Sequence, residues 1–275
     1  MNIPEIVAIL VNSGININEA KIEVRMMIEH YCQYSALDVI RGVPLDRKKL
    51  DTVIEKAQYR AKTKMPIQYI MGVADFMRNK YIVNESVLIP RGDTEQLVMK
   101  ATDIIKSNNF NNVLDIGTGS GCIACSIASV LDVKVTAIDI SNKALEVAKQ
   151  NAKNLKVNSR VEFVVSDLFD KIPSDKKFDI IVSNPPYIPN GTDLQQEVTF
   201  EPTGALFAGG ENGLEFYQKI VSKASEYLNP NGFIAFELGY GQSEDVLHLL
   251  QSANFKNIMI EKDMIGIDRI IYGQL

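Results

Sequence analysis

Asn184-Pro185-Pro186-Tyr187 follows directly on the apolar run Phe178-Asp179-Ile180-Ile181-Val182-Ser183. Two consecutive prolines at the end of a buried strand fix φ twice and remove two amide donors. What remains is rich in acceptors, the Asn184 side-chain oxygen and the Pro185 carbonyl, with the Tyr187 ring as a flat stacking surface. Such a turn suits the N–H groups of a planar amide or amino group, and methyl transfer to nitrogen is the chemistry most in need of it. The bland alternative is a rigid turn in which Asn184 caps its own backbone. Against it stands the position of the turn, at the carboxyl end of a strand in what reads as a parallel sheet, where such folds bind ligands.

Three further segments have a chemistry of their own. Asp115-Ile116-Gly117-Thr118-Gly119-Ser120-Gly121 joins a strand to a helix. Its glycines permit a tight turn and close backbone approach, and the helix start offers unpaired N–H groups. Alone, the loop would serve a dinucleotide equally well. Asp139 ends the next strand and is placed to accept hydrogen bonds from two ribose hydroxyls. Asp167 and Leu168, in Ser166-Asp167-Leu168-Phe169, offer a carboxylate and an apolar wall for an adenine ring. The third glycine falls one residue earlier than in the dinucleotide fingerprint. Together the three segments fit the adenosine of S-adenosylmethionine better than that of NAD.

The elements that must position these residues divide by periodicity. Residues 1 to about 65 show helical spacing: Ile6, Ile9 and Leu10 share one face, and Ile22, Met26 and Ile28 to Tyr31 a second, with Asn18 as its expected cap. Ser35 to Ile40 and Asp46 to Lys62 read as two more helices. Pro66 breaks the last of them. Asp75-Phe76-Met77 and Tyr81-Ile82-Val83 then flank Arg78-Asn79-Lys80 as a hairpin, and Asp93 or Thr94 is expected to cap a helix ending near Ser107. Beyond it strands and helices alternate, the sign of a parallel sheet covered on both faces. The expected strands are Val113–Ile116, Val133–Ile138, Val161–Val165, Phe178–Val182 and Phe233–Phe236. Asn257–Glu261 and Ile267–Tyr272 are joined too briefly for a crossover helix, so the sheet should close on an antiparallel strand. The expected organisation is a helical domain over 1–72, a hairpin connector over 73–89 and an α/β domain over 90–275.

Composition narrows the partners. The chain has 275 residues, 46% of them hydrophobic, enough for a sizeable core. A net charge of −5 disfavours broad binding to nucleic acid, and the basic residues at 47–49 and 56–64 read as a solvated helix face. Three cysteines and two histidines supply a metal site poorly, so Cys122 and Cys125 read as packing residues. Glu5 interrupts the first turn and no leader-like apolar run follows. Ile116 to Leu131, the longest uncharged run, is too short to span a membrane. A cytoplasmic location is expected.

On these residues the chain resembles class I S-adenosylmethionine-dependent methyltransferases, and within them the bacterial protein-(glutamine-N5) methyltransferases that modify peptide chain release factors. The likeness runs through Pro66-Ile67-Gln68-Tyr69-Ile70-Met71-Gly72, Ile89-Pro90-Arg91-Gly92-Asp93-Thr94-Glu95, the Gly117–Gly121 loop, Asn184–Tyr187 and Phe200-Glu201-Pro202. Gly92 stands where the family usually has a second proline, and Leu168 where a large aromatic residue is common. The resemblance implies a Rossmann-like, mostly parallel seven-stranded sheet whose last strand is antiparallel. It implies that Asn184, Pro185, Pro186 and Tyr187 hold the substrate amide. Asn184 and Pro185 would each accept one N–H, with Tyr187 on the amide plane. Gly117, Thr118, Gly119, Ser120, Gly121, Asp139, Asp167, Leu168 and Asn184 would hold S-adenosylmethionine. The implied partner is a class I release factor, modified on the glutamine of its Gly-Gly-Gln motif by a monomer that binds neither nucleic acid nor membrane. The main alternative is an amino-group methyltransferase acting on DNA adenine or rRNA guanine, which shares the Asn-Pro-Pro-Tyr turn. A nicotinamide-dependent oxidoreductase is disfavoured by the glycine spacing, and a non-catalytic module should have lost the loop, the acid or the turn.

Overall fold

The computed structural model describes residues 2–35, 37, 38, 41–43 and 46–275. Two compact units emerge, one comprising residues 1–73 and 194–200, the other 74–193 and 201–275.

In the first unit α1 (Ile3–Asn12) opens with a capping box in which Asn2 and Glu5 satisfy each other's backbone N–H. For α2 (Ile17–Met27) the cap is Asn16, whose side chain accepts from Asn18 N–H, so the helix starts earlier than an Asn18 cap would place it. The acidic residue three positions beyond this cap is Glu19, in the first turn of the helix. A π-helical turn (Ile28–Cys32) continues α2. The helix expected over 35–40 involves Ala36, Val39 and Ile40, which lie outside the described residues. Asp46 caps α3 (Arg47–Thr63), and Pro66 both follows its end and starts the short α4 (Ile67–Met71). Ile6, Leu10, Val24, Met27, Val53, Ala57 and Ile67 form the core of this unit. One basic residue of α3 departs from the solvated-face reading. Arg60 is 1% exposed, bonded at 3.0–3.2 Å to Glu23, itself buried, and at 3.4 Å to Glu197 of the 194–200 segment.

The second unit begins with a hairpin, β1 (Val73–Phe76) and β2 (Asn79–Ile82). Its turn is Met77-Arg78, one residue before the expected position, with φ of 48° and 61°. Two left-handed residues match the twist of a two-residue hairpin, and Glu95 accepts Met77 N–H at 2.6 Å. Next comes α5 (Gly92–Asn108). The strands and helices that follow are β3 (Asn112–Ile116), α6 (Cys122–Val130), β4 (Lys134–Asp139), α7 (Asn142–Asn154), β5 (Val161–Val165) and β6 (Phe178–Ser183). They are succeeded by α8 (Thr203–Leu206), α9 (Glu215–Tyr227), β7 (Leu228–Glu237), α10 (Ser243–Ser252), β8 (Lys256–Lys262) and β9 (Asp268–Gln274).

β3 to β9 form one seven-stranded sheet in the order β5-β4-β3-β6-β7-β9-β8. All neighbours are parallel except at β9, which runs antiparallel to both β7 and β8. This is the expected α/β class with its closing reversed strand. One apolar core lies under α5 and α6, the other under α9 and α10. The three cysteines are buried free thiols, and burial pushes the Cys122 thiol up to about 12. Among the described residues no helix is long and apolar enough to cross a membrane. The chain runs outward from β3 to β5 and then returns to β6 on the other side of β3. This leaves a topological switch point between β3 and β6, where open sheets form ligand crevices.

Candidate functional site

Register places the candidate residues side by side. Ile116 pairs with Ile138 on one side and Ser183 on the other, and Ser183 pairs with Phe236. The residues one step beyond are therefore neighbours across the strand ends: Gly117 near Asp139, and Asn184 near Glu237. Ser183 Oγ donates to Ile116 O at 2.7 Å, tying the two strands at the switch point.

A cavity of about 300 Å³ opens there. Gly117, Gly119, Asp139, Asp167, Leu168, Asn184, Pro185 and Pro186 line it, with Val87, Leu88, Phe216 and Lys219. Thr118, Ser120, Gly121 and Tyr187 do not. For Thr118 and Gly121 their contacts explain why. Thr118 is buried and donates to Asp115 Oδ2 at 2.6 Å, and Ser120 is also buried. A Cβ on Gly121, at φ +78°, would stand 3.0 Å from Ala148 Cβ, so this glycine is required by helix packing. At Gly117 the reverse holds: an added Cβ would meet no protein atom within 4 Å. Its missing side chain is space in the cavity.

The glycine loop is held from below. Asp115 accepts from the Thr118 hydroxyl and, at 3.1 Å, from Ala124 N–H. Burial pushes its carboxyl up to about 7, against those two bonds. Asp139 accepts Gly119 N–H at 2.9 Å and Ser141 N–H at 2.8 Å through different oxygens, while burial again raises its pKa. Each oxygen retains a lone pair for a diol. Leu168 takes a left-handed φ of 46°, with its carbonyl bonded by Ser166 Oγ at 2.7 Å. Asn151 is fully buried in α7 and bonds Ile82 N–H, Ile82 O and Ser120 O, so it fastens the loop to the hairpin.

At the turn after β6, Pro185 is buried while Asn184 and Tyr187 are half-buried. Asn184 Nδ2 donates to Thr94 Oγ1 at 3.1 Å, and Thr94 Oγ1 donates to Glu237 Oε2 at 2.6 Å. The expected cap of α5 is thereby corrected. Arg91 occupies the N-cap with no capping side chain, and Thr94 is turned inward, 2% exposed. Burial raises the Tyr187 hydroxyl to about 12, so this group stays protonated. Gln242 holds the far end of the turn by donating to Tyr187 O at 3.0 Å. Gly239 leaves room for the ring, since a Cβ there would lie 2.9 Å from Tyr187 Cδ2. Glu201 accepts Ile89 N–H at 3.0 Å and binds Arg91 Nη2, joining two motifs that lie far apart in sequence.

Thr94, Glu237, Asn151 and Gln242 join the expected residues at the site through their contacts in the fold. Two of them have a signal in the sequence: Thr94 lies in the Ile89–Glu95 segment that carries the resemblance, and Glu237 is an ionisable residue closing the apolar strand Phe233–Phe236.

A family model described as a methyltransferase domain matches residues 107–266. A release factor glutamine methyltransferase of Fusobacterium nucleatum is 44% identical over 219 residues, spanning 78% of this chain and 61% of that protein. One from Geobacter sulfurreducens is 41% identical over 236 residues, spanning 84% of this chain and 81% of that protein. Among solved structures, a T. thermophilus 16S rRNA N2 G1207 methyltransferase in complex with AdoMet and guanosine matches with a TM-score of 0.53. At 16% identity, covering 74% of this chain and 49% of that one, it shows a shared fold.

Proposed function

The chain belongs to the release factor glutamine methyltransferase family, and from that premise we propose that it methylates the side-chain amide nitrogen (N5) of a protein glutamine. The substrate in this reading is the glutamine of the Gly-Gly-Gln motif in class I peptide chain release factors, and the consequence is a tuning of translation termination. S-adenosylmethionine supplies the electrophilic methyl group when bound.

The residues present suit that group. Gly117 leaves open space where a side chain would fill the cavity, Asp139 retains acceptor capacity for ribose hydroxyls, and Leu168 offers an apolar wall. Asp167 would serve the adenine amino group.

The observation that carries the proposal is the orientation of Asn184. Its Nδ2 is engaged by Thr94, which leaves Oδ1 as the group offered to a ligand. A glutamine amide nitrogen is a poor nucleophile because its lone pair is delocalised into the carbonyl. Asn184 Oδ1 and Pro185 O each accept one N–H, which turns the face of the nitrogen toward the incoming methyl. Positioning of this kind contributes roughly 7–11 kcal/mol in favourable cases. The same two oxygens stabilise positive charge developing on nitrogen. Tyr187 lies beside the cavity and not in its lining; neutral at physiological pH, its ring would pack on the amide plane of a substrate that enters past the turn. The surplus proton leaves to water after transfer, so no dedicated base is needed.

In the same proposal the helical unit docks the release factor, and the enzyme works as a cytoplasmic monomer. Incubation with labelled cofactor and an intact release factor should label the protein, whereas a factor with the motif glutamine replaced should stay unlabelled. Label on DNA or rRNA, with none on the intact factor, would transfer the reading to the amino-group alternative.

A further inference from the structure

Asn184 is useful as an acceptor only if its amide is held one way round, because a flip of the amide would present two donors to a substrate that itself offers donors. Thr94 and Glu237 decide which way. A threonine hydroxyl has one proton and two lone pairs. An ionised carboxylate only accepts, so Glu237 takes that proton, at 2.6 Å. The Thr94 oxygen is left as an acceptor, and the Asn184 group that faces it at 3.1 Å must be the NH₂. We propose that Thr94 and Glu237 are positioning residues that set the hydrogen-bond polarity of the Asn184 clamp. This inference rests on the glutamine-methylation reading, and extends it from the residues that touch the amide to those that orient them.

The position of Glu237 makes the setting sensitive to pH. It is 2% exposed at the end of β7, and burial pushes its carboxyl up to about 7. Facing it are Asp93 and Thr94 from α5, Arg91 just before that helix, Arg269 from β9, and Tyr187 after β6. Tyr217 of α9 and Cys122 of α6 also sense its charge. Asp93 raises the Glu237 pKa, while Arg269 and Arg91 lower it. Arg269 is itself paired with Asp93 at 3.2 Å and Asp263 at 3.4 Å. Protonated Glu237 becomes a donor to Thr94. The Thr94 proton is then free to point at Asn184, whose amide turns over and offers NH₂ where the substrate needs an oxygen. Activity should therefore be present above about pH 7 and fall below it.

The test uses full-length enzyme and release factor, with the cofactor saturating. Thr94→Val should lower kcat/KM about ten- to hundredfold and Thr94→Ser should restore most of it, with calorimetric cofactor affinity unchanged in both. Glu237→Gln, a neutral isostere able to accept or donate, should lower kcat and abolish the acid limb of the pH profile. Thermal melting identifies any variant that fails to fold, and Thr94→Ser keeps the test open in that case. Full activity in Thr94→Val, or an acid limb that persists in Glu237→Gln, would overturn the relay while leaving the clamp intact. Full activity in Asn184→Ala would instead refute the clamp itself.

Discussion

Asp139 has a narrower task than its charge suggests. It fixes the glycine loop through Gly119 N–H and the next helix through Ser141 N–H, and has acceptor capacity left for a ligand. Replacing Asp139 with Asn keeps the volume but removes the charge and one acceptor. Cofactor affinity should fall roughly 10- to 100-fold, as expected for a hydrogen bond to a charged group. Calorimetry at fixed pH measures it, and an unchanged Kd would remove Asp139 from the cofactor site. The direction with pH follows from the raised pKa: protonation costs an acceptor, so affinity should weaken as pH falls. At this scale the sequence was informative wherever the chemistry was local. Asn184-Pro185-Pro186-Tyr187 and the glycine loop could be read because their parts are contiguous. The role of Thr94 could not, because its partners Asn184 and Glu237 lie 90 and 143 residues away.

At the scale of elements, the strand ends do the positioning. β3 and β6 are neighbours at the switch point, and one hydrogen bond from Ser183 to Ile116 keeps their ends level. Gly121 carries the turn from β3 into α6 at a φ that disfavours any side chain, in space that Ala148 already fills. Gly121→Ala should therefore destabilise the unit by about 2–4 kcal/mol, combining a left-handed residue with overpacking. A shift in the urea midpoint with an unchanged slope would register this. A variant as stable as the parent would mean that the loop relaxes away from α7. The strands β3 to β6 were legible because each is an apolar run bounded by turn residues. β7 was legible only from Phe233 onward. Its first part, Leu228-Asn229-Pro230-Asn231-Gly232, has the composition of a turn, yet Leu228 pairs with Phe178 and the register jumps before Phe233. The hairpin turns one residue earlier than its sequence suggests, because neither Met77 nor Arg78 has the side chain expected of a left-handed turn.

At the scale of the molecule, two buried arrangements govern stability. Arg60 binds Glu23 bidentately in the helical unit and reaches Glu197 from the later segment. Removing the guanidinium strands a buried carboxylate, so Arg60→Ala should cost about 3–5 kcal/mol, and replacing Glu23 by Leu as well should recover part of that. Denaturant melts of the single and double variants check it. The second is the burial of two separate acids, Asp115 and Glu237, each raised in the fold to about 7 from 3.8 and 4.5. At these two sites the folded chain holds more protons than the unfolded chain between those limits. Its stability should thus be greatest toward the acid end of that window and decline as pH rises through about 7. A thermal midpoint that climbs steadily from about pH 5 to about pH 7 would contradict this. The central claim, that the turn after β6 clamps a glutamine amide for methylation, is tested most directly by tandem mass spectrometry of a release factor after incubation with cofactor and enzyme. The account predicts one added methyl on the side-chain nitrogen of the Gly-Gly-Gln glutamine with the parent enzyme, and none with Asn184→Ala although that variant still binds cofactor. A methyl on any other residue, or normal modification by Asn184→Ala, would contradict it.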